Sequence, residues 1–200
     1  MPGRDIIVMG ASAGGVQVLA DLIGSLPADL PASIFIVMHL APFGTSAMPA
    51  ILSRSGRLAA VHPRDGESIQ HGKVYVAPPD HHLLIEPDRV RISQGPTENG
   101  HRPAVDVLFR SAAQVYGPRV VGVVLTGNLD DGTAGLALIK KYHGIAVVQD
   151  PEEADYPGMP RSAIAQVNVD HILPLAEIGP LLADLAAMEI KCVREVERAV

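Results

Sequence analysis

Apolar residues in this chain gather in short, nearly unbroken runs, separated by glycines, prolines and stretches of helical spacing. Ile6-Ile7-Val8-Met9, preceded by Asp5 and stopped at Gly10, reads as a strand buried on both faces. Gly14–Ser25 follows with Val16, Leu19, Leu22 and Ile23 at helical spacing. Ser33–His39 is a second buried strand, and Thr45–Ser55 a helix with Thr45 as its N-cap. From about Leu58 to Ile92 the texture changes. Gly72–Pro79, His82–Glu86 and Arg89–Ser93 read as short strands with turns at Pro79-Asp80 and Pro87-Asp88, the last two forming a hairpin. Gln94–Gly100 has turn composition and reads as a loop. Beyond it the spacing predicts helices over Val105–Tyr116, Thr133–Tyr142 and Ile178–Met188, and strands over Val120–Thr126 and Ile145–Gln149.

Strands alternate with helices at both ends of the chain, around the hairpin. That order predicts one α/β domain: an open, mostly parallel sheet covered by helices on both faces, with an inserted antiparallel β-hairpin. The domain is expected over residues 1–190, with the charged stretch 191–200 as a tail.

Composition narrows the function classes. Aromatics are 4% and Trp is absent, so the core must be built from Val, Ile, Leu, Ala and Met. A net charge of −6 without a basic block argues against nucleic acid as a partner. The single cysteine, Cys192, excludes an internal disulfide framework and a multi-cysteine zinc site. His62, His71, His81 and His82 show no ligand spacing, so no metal is expected, and no cofactor motif stands out. No apolar run approaches a membrane span and no signal-peptide pattern opens the chain, so no membrane insertion and a cytoplasmic location are expected.

Ligands of open α/β sheets sit outside the C-terminal ends of the strands. Three such ends carry chemistry here. The first delivers Gly10-Ala11-Ser12-Ala13-Gly14, the second His39, and the strand from Val120 delivers Thr126-Gly127-Asn128-Leu129-Asp130-Asp131-Gly132. Ser12 lies in a G-x-S-x-G turn between strand and helix, which projects a hydroxyl beside helix N–H groups. A serine needs a base, and His39 is the best one; Asp130 or Asp131 could orient its ring. Each residue alone also has a plain structural reading: Ser12 as an N-cap, His39 as a rim histidine, one acid as a helix cap. Their convergence on one rim favours catalysis. The order Ser…His…Asp is not that of the α/β-hydrolases. A dinucleotide fingerprint is incomplete, since Ser12 replaces the middle glycine and His39 stands where an acid belongs. A nucleotide-binding domain is therefore an outside alternative.

Six ordered motifs carry a resemblance. They are Ile7–Gly15, Val37–His39, Val74–Leu83, Pro103–Phe109, Val124–Gly135 and Gly158–Ala163. Together they resemble the catalytic domain of the bacterial chemotaxis protein-glutamate methylesterases, the CheB family. The resemblance implies a doubly wound α/β domain that hydrolyses γ-glutamyl methyl esters, and deamidates certain glutamines, on methyl-accepting chemotaxis receptors. It implies Ser12 as nucleophile, His39 as base and Asp131, rather than Asp130, as the orienting acid. Backbone N–H groups of Ala13 and Asn128 are implied as oxyanion donors, and Arg161 is a candidate docking residue for the receptor. The usual member carries a phosphorylatable receiver domain ahead of this one. With Asp5 already opening the first strand, no receiver domain is expected here, and a separate receiver-domain regulator becomes a candidate partner. An inert CheB-like binding or regulatory module is the alternative reading.

Overall fold

The structure is a computed structural model that describes residues 3–39 and 46–190. The expected cap Thr45 and the tail over 191–200 lie outside these residues. The chain runs β1 (Ile6–Ala11), α1 (Gly15–Ser25), β2 (Ser33–Met38), α2 (Met48–Ser55), β3 (Ala59–Val61), β4 (Lys73–Val76), β5 (His82–Glu86) and β6 (Arg89–Ser93). It continues with α3 (Val105–Tyr116), β7 (Val120–Val124), α4 (Thr133–Lys141), β8 (Ile145–Gln149), α5 (Gly158–Gln166), β9 (His171–Leu173) and α6 (Leu175–Ala187).

Seven strands form one parallel sheet in the order β3-β4-β2-β1-β7-β8-β9, and β5 and β6 form a separate antiparallel pair. The doubly wound, mostly parallel sheet and the inserted hairpin are thus as the sequence predicts. Side chains alternate across each strand, so the unbroken apolar runs feed two cores. Ile7, Met9, Ile34 and Ile36 pack with Leu19 and Leu22 of α1, Leu52 of α2 and Leu182 of α6. Ile6, Val8, Phe35 and Val37 pack on the other face with Phe109 of α3, Ile139 of α4, Met159 of α5 and Leu83 and Ile85 of the hairpin. Full burial of each such side chain stabilises by about 1.5–3 kcal/mol.

The short elements escaped the sequence reading. β3 and β9 have three residues each, too few for alternation to register. Helix α5 starts Gly158-Met159-Pro160 and buries only Met159, Pro160 and Ala163, so it lacks an apolar stripe. Helix α6 begins at Leu175, three residues before the predicted start, because Pro174 caps an extended entry that carries no helical pattern of its own.

The chain leaves β1 toward β2 on one side and returns to β7 on the other, so the strand order reverses at β1. Splayed connections at that point open a crevice at the C-terminal ends of β2, β1 and β7. Gly10 sets how closely α3 approaches it: a Cβ there would collide with the side chain of Val105 in the first turn of α3. Gly10→Ala is expected to destabilise the protein by about 1–3 kcal/mol through overpacking. In urea unfolding the midpoint should fall with the slope unchanged.

Candidate active site

Strand register brings the first two residues together. Ala11 of β1 pairs with Met38 of β2, and the ladder runs on as His39 N–H donates to Ala11 O at 3.2 Å. On the other side Leu125 N–H donates to Gly10 O, and Ser12 N–H to Thr126 O, both at 3.0 Å. Ser12, His39 and the loop after β7 therefore leave three adjacent strands at the same level.

The serine is not an N-cap. Gly14 takes that position with φ +75°, a left-handed conformation that a residue with a Cβ rarely adopts, and no side chain caps α1. The turn instead closes by Gly15 N–H donating to Ser12 O at 2.9 Å. Ser12 Oγ is left to meet His39 Nδ1 at 3.1 Å. The other ring nitrogen, Nε2, lies 2.7 Å from Asp131 Oδ2. A neutral ring with its proton on Nε2 satisfies both contacts: Nε2–H donates to the carboxylate, and Nδ1 accepts from the hydroxyl. The two nitrogens have the reverse of their roles in the chymotrypsin-type triad.

Asp131 is 2% exposed, and its carboxylate accepts four hydrogen bonds. Oδ2 takes His39 Nε2 and Val105 N–H, both at 2.7 Å; Oδ1 takes Asn99 Nδ2 at 3.0 Å and Asp106 N–H at 3.1 Å. Burial alone would push this acid up, but the four donors outweigh it and hold it below the usual carboxylate range. Asp131 so caps the N-terminus of α3 while facing the histidine. Asp106, in the first turn of α3, does the converse for α4: its Oδ1 accepts from Gly132 N–H at 3.0 Å and Gly135 N–H at 2.6 Å. Burial pushes Asp106 up, and the nearby Asp131 adds to this, against the bonds from Gly135, Asn99 and Gly132.

Asp130 points elsewhere. It is exposed, and its backbone carbonyl accepts from Thr133 N–H at 3.0 Å. The N–H groups of Ala13 and Asn128 donate to no described residue, and the loop of Asn128 runs close by Ser12: a Cβ on Gly127 would lie 2.9 Å from that of Ser12. Thr126 ties these loops together. Its hydroxyl donates to Ala13 O at 3.1 Å and accepts from Tyr156 N–H at 3.0 Å, while Gln149 accepts its N–H at 2.9 Å. Arg161 stands exposed on α5 with a loose 3.4 Å contact to Glu152, and it does not touch the Ser12–His39–Asp131 group. Among the described residues no group of three or more His, Cys, Asp or Glu is placed to hold a metal ion. No described helix is long and apolar enough to cross a membrane.

The sequence reading did not single out Asn99, His101, Asp106 as a cap of α4, or Thr126. Asn99-Gly100 did carry a turn signal, but nothing local says what that turn faces.

Comparison with known proteins identifies the family. A family described as CheB methylesterase matches residues 7–182. A putative protein-glutamate methylesterase/protein-glutamine glutaminase of Leptospira interrogans is 41% identical over 182 residues, covering 90% of this chain and 94% of that protein. A protein-glutamate methylesterase/protein-glutamine glutaminase 2 of Methanosarcina mazei is 39% identical over 184 residues; the match covers 88% of this chain but 50% of that protein. The crystal structure of the Thermotoga maritima CheB methylesterase catalytic domain superposes with a TM-score of 0.86 at 34% identity, covering 90% of this chain and 98% of that one. With its strand order, its hairpin and the residues gathered at its switch point, the chain belongs to the CheB methylesterase family.

Proposed function

We propose that the chain is a protein-glutamate methylesterase that works through Ser12, His39 and Asp131. The observation that carries this reading is the single ring of His39, which touches Ser12 Oγ with one nitrogen and the buried Asp131 carboxylate with the other.

Ser12 Oγ attacks the γ-carbonyl carbon of an esterified glutamate, and its proton passes to His39 Nδ1. Asp131 keeps the ring in the Nε2–H form and stabilises the imidazolium. The N–H groups of Ala13 and Asn128 hold the oxyanion. When the C–O bond breaks, His39 returns the proton and methanol leaves. Water then attacks the acyl-enzyme and gives its proton to His39 Nδ1; as the acyl–Oγ bond breaks, His39 passes that proton to Ser12 Oγ, and glutamate leaves. A glutamine side chain would follow the same route with ammonia as the leaving group. An inert module would have no use for a serine whose hydroxyl faces a base rather than capping its helix.

The proposed substrates are methylated helices of chemoreceptors, and the proposed setting is the cytoplasm. With a net charge of −6 on the enzyme, long-range attraction to an acidic receptor segment is not expected. We assign docking to the rim of the site, where Arg161 offers a guanidinium whose one ion-pair contact among the described residues is an exposed one to Glu152.

Ser12→Ala should lower methanol release from a methylated receptor by at least about 10³-fold, and retention of the wild-type rate would refute the assignment. Asp131→Asn should keep the fold, because with its amide nitrogen toward His39 its oxygen, in the place of Oδ1, still accepts from Asp106 N–H at the N-terminus of α3. Turnover should fall by about 10⁴-fold, since an amide facing Nε2 favours the wrong tautomer. Asp130→Asn should stay within about tenfold, as for a screened surface charge.

The pH dependence follows from the acid. Because Asp131 is held below the usual range, kcat/KM should show no inflection from it above about pH 4. The linked stability is present above the unfolded carboxylate value and lost as pH falls through the lower folded one. Asp131→Asn should therefore flatten the loss of stability below about pH 4 in acid titration. Arg161→Ala should raise KM on receptor substrate and leave the labelling of Ser12 by a small fluorophosphonate unchanged.

A further inference from the structure

The turn within Gln94–Arg102 takes no part in the steps above, yet it lies against the site. Glu98 N–H donates to His101 O at 3.0 Å and His101 N–H to Glu98 O at 2.9 Å. The pair closes a two-residue turn over Asn99 (φ +52°) and Gly100 (φ +76°), the positive-φ dipeptide of a type I′ hairpin. This turn is tethered from several sides. The Glu98 carboxylate accepts both terminal guanidinium nitrogens of Arg110 on α3, at 2.7 and 2.8 Å. Arg102 donates to Asp80 at 2.6 and 2.9 Å and to Gly95 O at 2.9 Å.

Two side chains leave this braced tip toward the site. Asn99 Nδ2 donates to Asp131 Oδ1 at 3.0 Å and to Asp106 Oδ2 at 2.7 Å, bridging two buried carboxylates that would otherwise face each other. The His101 ring lies flat on the His39 ring, with centroids 3.6 Å apart and planes 10° from parallel. We propose that the Glu98–His101 turn is a positioning clip for the site, in which His101 fixes the ring plane of His39 and Asn99 fixes the carboxylate of Asp131.

The chemistry gives each contact a purpose. Nδ1 of His39 reaches Ser12 and Nε2 reaches Asp131 only in one ring orientation, and a flat partner restrains rotation about the Cβ–Cγ bond. A neutral ring beneath also tolerates the imidazolium that forms on His39, whereas a charged one would oppose it. The groups that act on His101 are His39 after β2 and Asp131 before α4; Glu98 of its own turn is paired with Arg110, and Asp106 lies behind Asn99. Burial and the neighbouring His39 push His101 below the usual histidine range, against the pull of Asp131, so it is neutral at pH 7.

This inference rests on His39 being the base, so His39→Ala is measured alongside. The readout is the second-order rate of Ser12 labelling by a fluorophosphonate, which needs no receptor docking. His101→Ala should slow labelling about tenfold to a hundredfold, the effect of loosening a catalytic group by a fraction of an ångström. His101→Phe, which restores a flat partner, should bring the rate back to within about threefold of wild type. On receptor substrate His101→Ala should lower kcat and leave KM unchanged. In ¹⁵N NMR the neutral His39 ring should show its proton on Nε2 in the wild type and a mixture of both tautomers in Asn99→Ala or His101→Ala. A wild-type labelling rate in folded His101→Ala, with His39→Ala inactive, would overturn the clip and leave the triad standing. Wild-type labelling in His39→Ala would instead overturn the triad. If His101→Ala fails to fold, His101→Phe is compared with His101→Leu: faster labelling by the Phe variant supports the stack, and equal rates overturn it.

Discussion

A carboxylate with almost no solvent contact must recover its lost hydration from fixed donors, and Asp131 recovers it from four. Two of these are the first free N–H groups of α3, one is the amide of Asn99, and one is the ring of His39. The anion is satisfied only if α3, the Asn99 turn and the loop after β7 all meet at one point. Asp106 imposes the matching demand from the other helix, since its Oδ1 needs Gly132 and Gly135 at the start of α4. Asp131 thus closes the helix that carries Asp106, Asp106 closes the helix that follows Asp131, and Asn99 bridges the two. The carboxylate that meets His39 is thereby built into the packing of α3 against α4.

The sheet supplies the other half of the site. Parallel register places Ser12 and His39 one step beyond a paired position, and the reversal of strand order at β1 leaves room above them. The glycines of the β1–α1 turn let the chain fold back without burying the serine hydroxyl in a cap. The Thermotoga maritima CheB methylesterase catalytic domain, with a TM-score of 0.86, shares this fold. The hydrogen bonds that join Ser12, His39 and Asp131 lie partly buried, whereas Arg161 stands exposed on α5.

Local sequence determined a good deal. Unbroken apolar runs such as Ile6–Met9 and Val120–Val124 can be buried only between two helical layers, so they fixed the parallel sheet and its helices. The Gly-Ala-Ser-Ala-Gly turn and the position of His39 at a strand end marked two of the three residues that the structure brings into contact. What local pattern left open was a choice between neighbours: Asp130 and Asp131 are alike in type and spacing, and the resemblance, not the residues, favoured the second. Tertiary structure explains the difference, because only at Asp131 do the N–H groups of Val105 and Asp106 converge. Asn99 and His101 were out of reach for the same reason. An Asn-Gly pair announces a turn, but its partners lie 32 residues away at Asp131 and beyond β2 at His39. Periodicity records which face of an element is apolar; it holds no information on which two loops will touch, since that is decided by strand order, register and the demand of buried charge for donors.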